Sequence, residues 1–426
     1  MTQQKFLHNL INILAVFLFA VFILFEGYAW GKYAFLAASS AIYILGLLER
    51  NDKVVFRLDA YVFLNVVFIF YVFLTALWAK SPDSTITMTR TLIRTFLCAY
   101  IVYLYFVKEE DVSRLLRILM WAGYIVAIYA LMFYGVDELM KAGSDSSLRV
   151  DNEFANVNGI GFVCALSCML QANEFVEKRY RWTIVFMIPA IVVLAAMQSR
   201  TALVMFVLGI CSAFIVKNQD ESAIKKVIKT IFGCVIAFIL VYCLLQLEIF
   251  SGIKKRMEEL LNSFSGKGEV DYSALIRKQM IEAGWREFIE HPIGGIGISN
   301  SYFITLQYFG RKTYLHNNFV ELLSCGGIFA FVFYYAMYAY LFYNLWKYRK
   351  ADKKQAMFFV IWLLIMLIAD YGTVSYYDKS QNFYLMIHFV NIENLKRKAR
   401  ERKNENCKVH ESSSKIYNRS KLSFFS

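Results

Sequence analysis

The sequence predicts an all-α polytopic membrane protein, a transmembrane helical bundle of about twelve spans. A long helical extracytoplasmic loop separates spans 9 and 10. Three observations predict it. Of 426 residues, 58% are hydrophobic, 19% are charged and only three are proline, whereas a soluble chain carries more charge. Apolar stretches of 16 or more residues recur, long enough to cross a bilayer. The polar stretches between them are short except at 249–315. A transmembrane β-barrel would show short alternating segments instead.

Taken in order, the spans fall at about 8–26, 33–48, 58–78, 91–107, 115–135, 155–173, 181–198, 201–217, 229–248, 316–345, 355–374 and 380–393. The first follows Lys5 without a small-residue cleavage site and reads as a span, not a removed signal peptide. The last is short and contains Gln381, Asn382 and His388. The chain thus divides into residues 1–248 with spans 1–9, the loop 249–315 with amphipathic helices, residues 316–393 with spans 10–12, and a basic tail at 394–426 expected to be disordered.

The net charge of +13 is distributed as in a membrane protein, so no nucleic-acid partner is expected. Loops at 49–57, 108–114, 174–181, 217–229 and 346–354 carry 17 Lys and Arg, all on one side if the spans alternate. The short loops of the other side carry 7. Basic flanks mark the cytoplasmic side. Both termini are expected in the cytoplasm, and the 249–315 loop, residues 137–154 and Arg200 outside. Seven of the eight cysteines sit in apolar stretches and Cys407 lies in the tail, which gives neither a disulfide framework nor a metal motif.

Within the long loop, 254–261 and 272–290 read as helices. On the second, Arg277, Ile281, Gly284, Trp285 and Phe288 share a face, which sets Arg277 on an apolar stripe turned to lipid or to the bundle. Arg277 reads either as a ligand-binding cation or as a rim arginine with a buried stem. His291-Pro292 ends the helix, and Gly294, Gly295 and Gly297 permit a tight return. No GKS/T follows, so this is a turn and not a nucleotide site. His316-Asn317-Asn318 opens the next span. His316 reads as an interfacial residue or as a base with an ordinary pKa of about 6.5. The turn Gln198-Ser199-Arg200-Thr201 leaves Arg200 at the outer boundary, as a snorkelling anchor or a functional cation. In SDSSLRVDNEFANVNGIG, residues 144–161, an asparagine can cap the following helix. There is no HExxH, no second histidine at ligand spacing and no GxSxG, so neither a metal, a cofactor nor a serine nucleophile is expected.

The ordered set is Ser199-Arg200, then Arg277 ahead of His291-Pro292-Ile293-Gly294-Gly295-Ile296-Gly297, then His316-Asn317 with Glu321-Leu322-Leu323-Ser324-Cys325-Gly326-Gly327. It resembles the O-antigen ligase and O-antigen polymerase superfamily of bacterial surface-polysaccharide glycosyltransferases. Arg149 through Asn156-Val157-Asn158-Gly159 looks like that family's R…NPN-G stretch, with Val157 in place of the proline. The resemblance covers roughly residues 149–327.

The resemblance implies a multi-pass protein of the bacterial cytoplasmic membrane with its active site facing outward. The donor would be an undecaprenyl-diphosphate-linked glycan, received from a flippase and elongated on a glycan acceptor with or without a chain-length regulator. Arg200 and Arg277 would bind the diphosphate, since guanidinium donates paired hydrogen bonds to phosphate. His316 would deprotonate the acceptor hydroxyl, giving metal-independent inversion at the anomeric carbon. Asn317, Arg286, Lys278, Asn158 and Arg149 would support substrate binding. A polymerase joining repeat units into capsular, exopolysaccharide or O-antigen chains is the first expectation. A ligase moving the finished glycan to an acceptor such as lipid A core is the second. A flippase of the same lipid-linked glycan is the third, although the spans show few charges for a hydrated pathway.

Overall fold

The computed structural model describes residues 3–24, 30–53, 56–109, 112–148, 150, 155–178, 183–265 and 272–422. Every regular element among them is helical: α1 (Gln3–Leu24), α2 (Gly31–Arg50), α3 (Ala60–Leu74), α4 (Pro82–Phe106), α5 (Ser113–Tyr134), α6 (Val136–Ser144), α7 (Val157–Lys178), α8 (Thr183–Met197), α9 (Arg200–Lys217), α10 (Ala223–Leu244), α11 (Ser251–Ser265), α12 (Tyr272–Glu290), α13 (Ser301–Phe309), α14 (Asn318–Tyr348), α15 (Lys353–Gly372) and α16 (Lys379–Leu422). The twelve expected spans fall within or overlap α1–α5, α7–α10 and α14–α16, whose limits differ from the expected ones most at α4 and α16. Nine of these are long and apolar enough to cross a membrane. The other three differ for local reasons. α4 carries Asp83, Arg90 and Arg94 in its first half, α8 has 15 residues, and α16 turns polar towards its C-terminal end.

Side-chain caps start several of the helices. Asp59 accepts the N–H groups of Tyr61 and Val62, Ser81 precedes Pro82 at the head of α4, and Asp352 accepts Gln355 N–H. Such caps satisfy donors that the first helical turn leaves open. The apolar faces then pack into one core running from Ile11 to Leu395. α7 lies against α5, α8 and α9, whereas α10 packs chiefly on α9 and exposes Ile228, Phe232 and Phe238.

At one end of the bundle ion pairs tie the helices together. Arg57 pairs with Asp59 at 2.6 Å and also with Glu393, and Arg114 pairs with Glu109 at 2.9 Å. α16 passes through this layer and continues to Leu422, where the sequence suggested a disordered tail. Two contacts carry the helix onward: Lys398 pairs with Asp352 at 2.8 Å, and Arg397 donates to the carbonyls of Val107 and Glu109 at 3.1 and 2.7 Å. Lys396, Arg397, Lys398, Ala399, Arg400 and Glu401 are also good helix formers.

At the opposite end, α6, α11, α12 and α13 make a cap. α11 and α12 fall where the two loop helices were expected. The buried face of α12 is Met280, Ala283, Gly284 and Glu287, whereas Trp285 is 48% exposed. The expected stripe is therefore turned. Glu287 takes the inward place because Lys80 Nζ meets it at 3.0 Å, and a buried charge needs such a partner.

The Pro/Gly turn after α12 fits backbone against backbone onto α14. Ile296 N–H donates to Ser324 O at 3.1 Å, and Ile328 N–H donates to Pro292 O at 2.9 Å. Gly327 breaks the helical dihedrals of α14 with φ 64°. A Cβ on Gly327 would stand 2.0 Å from Ile293 O, and one on Gly295 would stand 2.4 Å from Cys325 C. Both glycines are thus required by contact as well as by conformation. Gly327→Ala is expected to lower stability by roughly 2–4 kcal/mol through strain and overpacking. A thermal unfolding midpoint in detergent unchanged from wild type would contradict this packing.

Candidate functional site

The site begins with the turn between α8 and α9. Gln198 has φ 48°, and its buried Nε2 donates to the carbonyls of Asp145 and Leu148, each at 2.8 Å, and to that of Ala142. Ser199 then caps α9 through Ala202 N–H, which makes Arg200 the first residue of that helix. Arg200 Nη2 donates to Ser273 Oγ at 3.2 Å, one turn ahead of Arg277 on α12. α11 adds a third arginine, since Arg256 Nη1 donates to Gln198 O at 2.9 Å. Arg200, Arg256 and Arg277 share one small pocket of 20 Å³ with Asn158, Phe162, Gln198, Ser199, Thr201, Gly372 and Thr373. Among the described residues no carboxylate lines it.

Burial holds both Arg256 and Arg277 below the usual arginine range. For Arg256 the charge of Arg277 adds to the effect and Glu259 opposes it, and for Arg277 it is Tyr314 that opposes it. Among the described residues neither has a carboxylate partner in an ion pair. Like charges gathered in a partly buried place suit an anionic ligand.

His316 stands beside this group. Its φ is 55°, an unusual value for a residue with a side chain. The turn is held from both sides. Leu315 N–H donates to Glu321 Oε2 at 2.9 Å, and Asn317 Oδ1 caps α14 by accepting Val320 N–H at 3.0 Å. The imidazole packs on Tyr314 with ring centroids 4.2 Å apart. Burial, then the charges of Arg277 and Arg311, lower its pKa to about 4. The ring is neutral at physiological pH and free to accept a proton.

A larger cavity of 170 Å³ adjoins the arginine pocket and shares Asn158, Phe162 and Thr373 with it. Tyr314, Tyr377, Asp378, Ser380 and Gln381 give it polar edges, while Trp362, Met366 and Leu166 give it an apolar floor. Tyr314 thus touches both His316 and the cavity. Hydroxyl, amide and carboxylate groups around an aromatic floor suit a polar ring such as a sugar.

Of the residues expected at the site, the fold brings together Arg200, Arg277 and Asn158 in one pocket and sets His316 within electrostatic reach of Arg277. Lys278 and Arg286 are exposed and line none of these cavities. Asn317 is buried and already committed, its Oδ1 to the cap and its Nδ2 to Tyr371 O at 3.2 Å. Arg149 and residues 151–154 lie outside the described residues. Arg256 escaped the sequence reading because it follows Lys254 and Lys255 and looks like part of a solvated basic run. The available signal was its spacing, three residues after the buried Ile253. Glu287, Glu290 and His291 bring three possible metal ligands within 4.8 Å of one another, but Glu287 is already paired with Lys80 and none of the three lines the arginine pocket.

Comparison with known families adds one finding. Residues 183–335 match the family model described as O-Antigen ligase. No curated protein matches the chain. The matched segment runs from α8 into α14 and contains Arg200, Arg256, Arg277 and His316. Over that segment the chain is similar to the O-antigen ligase family.

Proposed function

We propose that the protein is a membrane glycosyltransferase that joins oligosaccharide repeat units carried on undecaprenyl diphosphate. One observation carries this reading: three arginines from three helices meet in one pocket, beside a neutral histidine and a cavity with polar edges. The donor diphosphate lies against the arginine pocket and directs its oxygens at the guanidinium groups, where each charge-assisted hydrogen bond contributes about 1.5–3 kcal/mol. The adjoining cavity receives the sugars. Asn158, on the wall common to both, lies where the diphosphate meets the first sugar.

The acceptor hydroxyl attacks the anomeric carbon and loses its proton to His316. The bond from that carbon to the phosphate oxygen breaks, and its electron pair leaves with the diphosphate. Direct displacement inverts the anomeric carbon. His316 is a weak base in the empty site because Arg277 and burial disfavour its charged form. The two negative charges of a bound diphosphate counter Arg277 and raise its basicity when it is needed. Charge asymmetry between the loops supports placing this end of the bundle outside the cytoplasmic membrane.

The description of the matched family favours a second reading, a ligase that runs the same step with a finished glycan and a different acceptor. The substitutions Arg277→Ala and His316→Ala separate the two. In a polymerase they leave single repeat units on the carrier lipid, whereas in a ligase they leave full-length polymer untransferred. His316→Ala is expected to slow transfer by about 10²–10⁴-fold. Normal long polymer from both variants, each inserted at wild-type level, would refute the mechanism.

The acidity of His316 sets a pH signature. Protonation removes the base, so kcat/KM falls as pH drops through the pKa of the free protein, about 4. The acid limb of kcat belongs to the donor-bound form and should lie higher. A kcat/KM profile already falling at about pH 6.5, the ordinary histidine value, would count against it. A cysteine introduced near Ser265 should react with a membrane-impermeant thiol reagent from outside intact cells. Labelling only after the cells are opened would overturn the outward placement.

A further inference from the structure

Breaking the glycosyl–phosphate bond changes the charge that the pocket must hold. A diphosphate joined to lipid at one end and sugar at the other carries two negative charges. Once the sugar leaves, the terminal phosphate keeps the electron pair of the broken bond and the diphosphate carries three. Two arginines match the charges of the donor. A third, Arg256, lines the same pocket, with Glu259 acting on it from one turn along α11.

We infer that Arg256 is a further catalytic residue, a diphosphate ligand matched to the additional charge on the departing group. This rests on the glycosyl-transfer reading of the site. Arg256 lines the pocket with Arg200 and Arg277, which come from two other helices. Its orientation is fixed from behind. One of its donors is spent on Gln198 O, and Gln198 is itself held by its hydrogen bonds to Asp145 O and Leu148 O. The remaining guanidinium N–H groups are left for an anion, in the rigid fork that pairs with phosphate oxygens. Arg277 and Arg256 repel one another inside the pocket. A growing negative charge relieves that repulsion more than a constant one does, so Arg256 favours the transition state over the bound donor. In the balanced step the acceptor oxygen bonds to the anomeric carbon, the carbon–phosphate-oxygen bond breaks, the electron pair goes to the phosphate and the acceptor proton goes to His316.

The same geometry makes the chain prefer diphosphate to monophosphate before any glycan is present. Titration of the purified full-length protein in detergent with inorganic pyrophosphate and, separately, inorganic phosphate reads this directly. Wild type is expected to bind pyrophosphate more tightly than phosphate. Arg256→Gln should weaken pyrophosphate binding by about 10- to 100-fold, the value of one charge-assisted contact, and shrink the preference over phosphate. Arg256→Lys keeps the charge but loses the fork and should fall between the two. It also serves as the folded comparison if the glutamine variant unfolds at a lower temperature. Pyrophosphate affinity equal to wild type in both folded variants overturns the role of Arg256. The readout needs no transfer activity. Loss of pyrophosphate binding in a chain that makes no glycosidic bond refutes the glycosyl-transfer reading and leaves Arg256 as a diphosphate ligand. Glycan transfer with undiminished pyrophosphate binding by Arg256→Gln does the reverse.

Discussion

Two backbones touch where a glycine stands on one side of each contact, and this constraint locates the cap on the bundle. Gly295 lies on Cys325, and Gly327 lies on Ile293, at separations that admit no Cβ. Hydrogen bonds Ile296–Ser324 and Ile328–Pro292 clamp the same contact. The turn at 291–297 is thereby fixed to α14, and α12 and α13, which flank it in the chain, are fixed in turn. Trp78 Nε1 and Tyr71 OH add hydrogen bonds from α3 and its continuation to Gly294 O and Gly326 O at 3.0 and 2.8 Å. Arg277 and His316 stand on either side of this joint in sequence. Their approach depends on a contact that uses no side chain of its own.

The arginines come from three segments, so the pocket exists only when those segments meet. Gln198 does much of that joining. Its side chain holds the 142–148 segment and its carbonyl holds Arg256, while the next two residues cap and begin α9. One polar residue in a strained turn thus coordinates α6, α9 and α11. Assembly of like charges costs folding energy, which fits a site that gains stability when an anion arrives.

The bundle was legible because bilayer thickness writes itself as apolar length, and α11 and α12 because amphipathic spacing does the same for surface helices. Arg200, Arg277 and His316 were legible as polar residues where a span begins or an apolar face runs. Three things were not. Arg256 sits in a run of three basic residues, and only the buried turn behind it tells it from its neighbours. The burial of Glu287 in place of Trp285 required the partner Lys80, which is distant in sequence. Asn317 looked available to substrate, but its cap and its bond to Tyr371 O occupy it. Each concerns a partner far along the chain, which local periodicity does not report.

The position of Arg200 also acts as a ruler. It is the first residue of α9, an 18-residue rod of about 27 Å that ends at Lys217. The hydrocarbon layer is about 30 Å thick. A long hydrophobic rod with a cation at each end has one comfortable height in a bilayer. In the membrane placement proposed above, the guanidinium then stands at the level where lipid phosphates lie. A diphosphate on a polyprenyl chain reaches that level without leaving the membrane, whereas a water-soluble nucleotide sugar would have to descend to it. Under the proposed reading, selection among donors can thus begin with depth, before any sugar is recognised.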